Sequence, residues 1–198
     1  MENNIIVSGE RGEIAYSHEI YGEKFYTFPL SIERQSGNVD TINVMISETD
    51  KPTVEKHNFV EVVGEVRTFN RHSEDGNHLD IFVFCKEVSE GSNYDNYFIG
   101  TAYICKKPNY RETPLGREVC DCLLAINRAY GKSDYIPSIV WGRNAKRASQ
   151  FSVGQQVYVK GRLQSRNYNK QIGDEVFKKV AYELSLSSIE LCEENENE

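Results

Sequence analysis

One pattern occurs twice in this chain, and the repetition limits what the chain can fold into. In the first copy, Tyr21-Gly22-Glu23 precedes a strand-like run ending in Leu30-Ser31-Ile32-Glu33-Arg34. In the second, Leu115-Gly116-Arg117 precedes Leu124-Ala125-Ile126-Asn127-Arg128. The offset is 94 at both Gly22/Gly116 and Arg34/Arg128. Val39-Asp40-Thr41-Ile42 matches Ser133-Asp134-Tyr135-Ile136 at the same offset, and Val62–Val66 matches Val159–Leu163 at 97. The drift of three fits a small loop insertion in the second copy. Two copies of one small fold are therefore expected.

The runs within each copy read as strands. Asn4–Val7, Phe25–Ile32, Val39–Ile46, Phe59–Arg67 and Leu79–Phe84 are short and rich in β-branched and aromatic residues, with turn residues between them. The second copy repeats this with Phe98–Ile104, Val119–Ile126, Tyr135–Trp141, Gln156–Gln164 and Val176–Leu186. Arg143–Gln150 has the composition and spacing of a short helix, which Asn144 could cap. Three strands, a helix and two strands is the order of an OB fold, a five-stranded Greek-key barrel. The expected class is all-β with a short helix, in two tandem OB-fold barrels. The first spans 1–90 and the second 94–191. Glu90-Gly91-Ser92-Asn93 is the linker and 192–198 an acidic tail.

Charge separates the copies. Residues 1–93 carry 8 Lys/Arg against 17 Asp/Glu, a balance of −9. Residues 94–191 carry 15 against 9, a balance of +6. An acidic half joined to a basic half points to different partners for the two. The five cysteines are an odd number, Cys120 and Cys122 lack a second metal-binding pair at zinc-finger spacing, and neither disulfide nor metal is expected. The absence of a basic leader and of a long apolar run predicts a cytoplasmic, nucleoid-associated location.

The second copy resembles the bacterial single-stranded DNA-binding protein family. The likeness is carried by Asn109-Tyr110-Arg111-Glu112-Thr113-Pro114-Leu115-Gly116-Arg117 and Leu124–Tyr130. It continues through Asp134-Tyr135-Ile136-Pro137-Ser138-Ile139-Val140-Trp141-Gly142 and Gly161–Tyr168. These segments span nearly half the chain in the family's order, and the whole chain looks similar to the family's two-barrel form.

The resemblance implies four aromatic binding positions, occupied here by Tyr130, Tyr135, Trp141 and Tyr168. Bases of an unpaired strand stack on such rings, and cations track the phosphates. The neighbouring cations are Arg128, Lys132, Arg143, Lys146, Arg147, Arg162 and Arg166. Tyr135 and Trp141 have even spacing in one strand, so they share a face. The sequence leaves open whether that face is the binding surface or the barrel interior.

The first copy has Ser36, Thr41, Ser47 and Arg71 at the equivalent positions, none aromatic. It is expected to keep the fold without the binding face. Its expected task is to pair with the second barrel, so that one chain resembles a fused dimer and the protein is a monomer or homodimer. The tail lacks the Gly-rich linker and apolar tip through which relatives recruit partners.

No catalytic triad, phosphate loop or paired-carboxylate motif is visible, so the chain reads as a non-enzymatic module with no cofactor. Single-stranded DNA is the expected ligand, for replication, repair or plasmid maintenance. Replication or repair proteins are expected as further partners, and the competing readings are a protein–protein adaptor of a replication, primosome or plasmid-transfer assembly and an RNA-binding OB protein.

Overall fold

The strands alternate apolar and polar residues, and closing them into barrels lets each bury one face. The computed structural model describes residues 2–73, 76–172 and 175–192, without the side chains of residues 72, 73, 76, 77, 130, 170, 172 and 175. The expected tail, beyond Cys192, lies outside the described residues.

The first copy contains β1 (Asn3–Arg11), β2 (Ala15–Ile20), β3 (Glu23–Glu33), β4 (Val39–Ser47), α1 (Lys51–Lys56), β5 (Phe59–Ser73) and β6 (Gly76–Glu90). The second contains β7 (Asp95–Ile104), β8 (Asn109–Glu112), β9 (Glu118–Asn127), a 3₁₀ turn (Ala129–Gly131), β10 (Ser133–Trp141), α2 (Arg143–Ala148), β11 (Gln156–Ile172) and β12 (Glu175–Leu191).

Both copies are OB-fold barrels. The first has strand order β2-β3-β4-β6-β5-β1, closed by β1 on β3. The second has order β7-β11-β12-β10-β9-β8, closed by β7 on β9. β4–β6 and β10–β12 pair in parallel.

Two compact units divide the chain differently from a single cut near residue 90. One comprises Asn4–Tyr97 and Leu163–Glu183. The other comprises Phe98–Arg162 with Met1–Asn3 and Leu184–Glu198. The outer part of the β11–β12 hairpin, here termed the arm, thus belongs with β1–β6. Ile5, Phe28, Leu30, Ile42 and Ile46 are buried in the first unit. Phe98, Ile104, Leu124, Ile126 and Ile136 are buried in the second. Each such side chain contributes about 1.5–3 kcal/mol.

The repeated residues perform repeated physical tasks. Gly22 and Gly116 lie in the β2–β3 and β8–β9 turns at φ of +84° and +70°, a region that disfavours side chains. Gly64 and Gly161 let strands approach closely. A Cβ there would lie 2.3 Å from the Phe84 carbonyl oxygen and 2.3 Å from that of Ser185, respectively.

Arg34 and Arg128 each grip the aspartate six residues on, at the base of a loop. The Arg34 Nε donates to Asp40 Oδ2 at 2.6 Å, and the Arg128 Nε to Asp134 Oδ2 at 2.5 Å. In each pair the second guanidinium nitrogen also binds the carboxylate. The Asp40 and Asp134 side chains are 1% and 0% exposed, so both charges are satisfied out of water. Donating to the Asp40 carboxylate raises the pKa of Arg34.

Several local features differ from the sequence expectation. β2 and β8 add a sixth strand to each barrel, and α1, with Pro52 in its first turn, gives the first barrel a helix. Asn144 does not cap α2. Gly142 precedes the helix, and the Asn144 amide donates instead to the Ser187 carbonyl at 2.8 Å. All five cysteines are free, and burial pushes the Cys85 thiol up to about 12. No helix of the described residues is long and apolar enough to cross a membrane.

The ion pairs give a stability prediction. Replacing Arg128 by Met removes the two-pronged guanidinium from a buried carboxylate and should cost about 3–5 kcal/mol in urea unfolding. Adding Asp134→Leu to that variant should recover part of the loss.

Candidate nucleic-acid interface

β10 commits its even positions to the core. Asp134, Ile136, Ser138 and Val140 are buried on that face. The odd positions therefore point out of the barrel. Tyr135 is 49% exposed and Trp141 38% exposed; between them on the same side of the strand Pro137 is half-buried and Ile139 is buried. The six-residue separation puts the two rings about 20 Å apart along the strand. The alternative left open by the sequence, that this face is the barrel interior, does not hold.

Trp141 is anchored as well as open. Its indole N–H donates to Ser185 Oγ at 3.1 Å. Ser185 is buried and lies opposite Ile139 in the β10–β12 ladder. The bond satisfies the one polar atom of the ring.

α2 follows Trp141 after a single glycine. Ala145 and Ala148 face the core, while Arg143, Lys146 and Arg147 are exposed. Lys146 Nζ lies 2.6 Å from Glu118 Oε1, and the Tyr110 hydroxyl donates to the same carboxylate at 2.7 Å. The bonds that Lys146 and Tyr110 donate lower the pKa of Glu118, and donating to Glu118 raises that of Lys146. Arg143, Arg147 and the exposed Lys132 have no ion pair among the described residues.

Arg162 is half-buried on β11 of the same unit. Arg128 stands apart from the other cations, because its guanidinium is bound to Asp134. Tyr130 lies in the 3₁₀ turn between β9 and β10, and its side chain is outside the described residues.

Tyr168 and Arg166 are on the arm, in the other compact unit. Tyr168 is 38% exposed and Arg166 is exposed. Their spacing of two puts both on one face of β11.

A further cation on the β10 side was missed from sequence. Arg111 on β8 stands opposite Val119, which stands opposite Trp141. The three form one row across β8, β9 and β10. Arg111 Nε binds Asp121 Oδ2 at 2.6 Å. Its membership follows from cross-strand register, which requires β8 to be recognised as a strand.

In the first barrel, Arg71 pairs with Asp80 at 3.2 Å and Ser47 donates to Asp50. Tyr16, Tyr21 and Phe69 are exposed there, at positions the fixed offset does not find.

Comparison with known proteins follows the same division. Residues 96–192 match the model of the Single-strand binding protein family. The match spans the second barrel. Single-stranded DNA-binding protein 1 of Staphylococcus aureus (strain COL) is 40% identical over 81 residues, covering 37% of this chain and 48% of that protein. Single-stranded DNA-binding protein A of Bacillus subtilis (strain 168) is 34% identical over 97 residues, covering 46% and 55%. The chain spans about half the length of these curated relatives.

The fold likeness extends over both barrels. The structure of the wild-type single-stranded DNA binding protein from Thermus aquaticus superposes with a TM-score of 0.79 at 15% identity. It covers 100% of this chain and 96% of that one. The sequence likeness to the Single-strand binding protein family thus lies in the second barrel, and the fold likeness extends over the whole chain.

The opposite fates of the two rings can be measured. Trp141→Ala removes the partner of a buried hydroxyl and should cost about 1–3 kcal/mol of stability. Tyr135→Ala, on an open face, should stay within about 1 kcal/mol. Urea unfolding of the two variants checks the order.

Proposed function

We propose that the chain binds single-stranded DNA without sequence preference, on the outer face of the second barrel. Tyr135 and Trp141 stack bases, while Lys132, Arg143, Lys146 and Arg147 neutralise phosphates. Tyr130, Arg162 and Arg111 extend this set within the second unit. Tyr168 and Arg166 on the arm add a stacking platform and a cation. Arg128 acts indirectly, by holding the loop that carries Tyr130.

The observation that carries this reading is the outward aim of Tyr135 and Trp141, partly exposed on a strand whose other face is core. Its support from relatives is that the matched proteins are named single-stranded DNA-binding proteins. Stacking platforms are sequence-tolerant because every base has a π-face, and duplex DNA conceals those faces. Such a module acts without catalysis, protecting exposed strands during replication, repair or plasmid maintenance.

Glu118 is a brake within this surface, because it occupies Lys146 and adds a negative charge. Glu118→Gln should raise affinity for oligo-dT about 2- to 5-fold at low salt, because it frees Lys146 for phosphate and removes a negative charge.

The direct test titrates oligo-dT, duplex of equal length and oligo-U at two salt concentrations. Oligo-dT should bind well above duplex, with a salt slope of about −0.7 per phosphate neutralised. Equal affinity for duplex would overturn the stacking account, and preference for oligo-U would favour an RNA ligand.

A further inference from the structure

The arm extends from the second barrel's β11 and β12 but is held by β4 of the first copy together with Asn96 at the start of β7. Leu163, Ser165 and Tyr182 are the points at which it is held, all within the unit formed by Asn4–Tyr97 and Leu163–Glu183. The Asn96 amide grips the backbone of Leu163 in two directions. Its Nδ2 donates to the Leu163 carbonyl at 2.6 Å, and the Leu163 N–H donates to its Oδ1 at 3.0 Å.

Two residues on, Ser165 is held by β4. Its N–H donates to Asp40 Oδ1 at 2.8 Å, and its hydroxyl accepts the Thr41 N–H at 2.9 Å. On the return strand, Asn43 Nδ2 donates to the Tyr182 hydroxyl at 3.4 Å.

Of these contacts the Ser165 hydroxyl is the one made by a β11 side chain, and strand alternation places Arg166 and Tyr168, at even positions, on the face opposite to it. The charge is arranged to match. Asp40 could repel a phosphate near the arm, but Arg34 already neutralises it.

We infer that Asn96, Asp40, Thr41 and Asn43 are positioning residues for single-strand binding, holding the arm so that Arg166 and Tyr168 meet the nucleic acid. The inference rests on the proposed binding function. It gives the acidic barrel a part in binding that requires no contact with DNA. The first copy supplies rigidity, and the arm supplies the stacking ring and the cation.

The test is a set of mutant cycles in the full chain, read as affinity for oligo-dT. Tyr168→Ala and Tyr135→Ala are each measured in the natural sequence and in an Asn96→Ala/Ser165→Ala background. A thermal melt verifies that each variant is folded. If the double background does not fold, Asn43→Ala, which removes one long contact, takes its place.

In the natural sequence, each tyrosine substitution should weaken binding about 5- to 100-fold. In the released background, Tyr168→Ala should weaken it less than about 2-fold, whereas Tyr135→Ala should keep its full effect. A general loss of stability would not single out Tyr168.

An undiminished Tyr168→Ala effect in the released background would overturn the positioning role. No effect of Tyr168→Ala in the natural sequence, with Tyr135→Ala still damaging, would also overturn it and leave the proposed β10 surface intact. If neither substitution weakens binding, the proposed function fails, and the positioning role with it.

Discussion

A barrel this small has room for one face of each strand, and that constraint orders the rest of the molecule. Ile136, Ser138 and Val140 fill the inner side of β10. Tyr135 and Trp141 have the opposite parity and lie on the other face of the strand, where both are partly exposed although Ile139 between them is covered. Burying Tyr135 and Trp141 instead would require a one-residue slip of β10, which would bring Ile136 and Val140 into water. The core therefore fixes the surface. Ser185 completes the arrangement by binding the indole N–H while leaving part of the ring open.

The two copies share their interior devices and differ in their surfaces. Gly22 and Gly116 make corresponding turns, Gly64 and Gly161 permit corresponding close approaches, and Arg34–Asp40 and Arg128–Asp134 pin corresponding loops. At the outward positions Tyr135 and Trp141 correspond to Thr41 and Ser47. A fold can be repeated through its internal requirements while its outer residues take on other work. In the first copy that work includes Thr41 and Asp40 binding the arm, with backbone and carboxylate where the second copy presents an aromatic ring.

Much of this was legible in the sequence because alternation and turn residues are local signals. The runs at Phe25–Ile32, Val39–Ile46, Val119–Ile126 and Tyr135–Trp141 lie within observed strands. β2 escaped because all but one of its residues are exposed, so Ala15–Ile20 carries no apolar alternation. β8 is only Asn109–Glu112 and equally polar. Proximity in sequence could not separate Arg128 from the other cations, since its binding to Asp134 depends on the loop bringing positions six apart together. Asn144 met the residue preference of a cap, but its amide found the Ser187 carbonyl, 43 residues away. The association of Leu163–Glu183 with the first copy has no local signature at all, because it depends on Asn96 and Asp40.

The central claim is that the outer face of β10 receives the bases of an unpaired strand, and Trp141 reports on it directly as the chain's only tryptophan. The decisive measurement is its emission during titration with oligo-dT, with binding followed independently by the anisotropy of a labelled strand. Stacking predicts quenching that rises in step with binding, saturates with it and reverses when salt dissociates the complex. Full binding with unchanged Trp141 emission would contradict the account and move the site to another face.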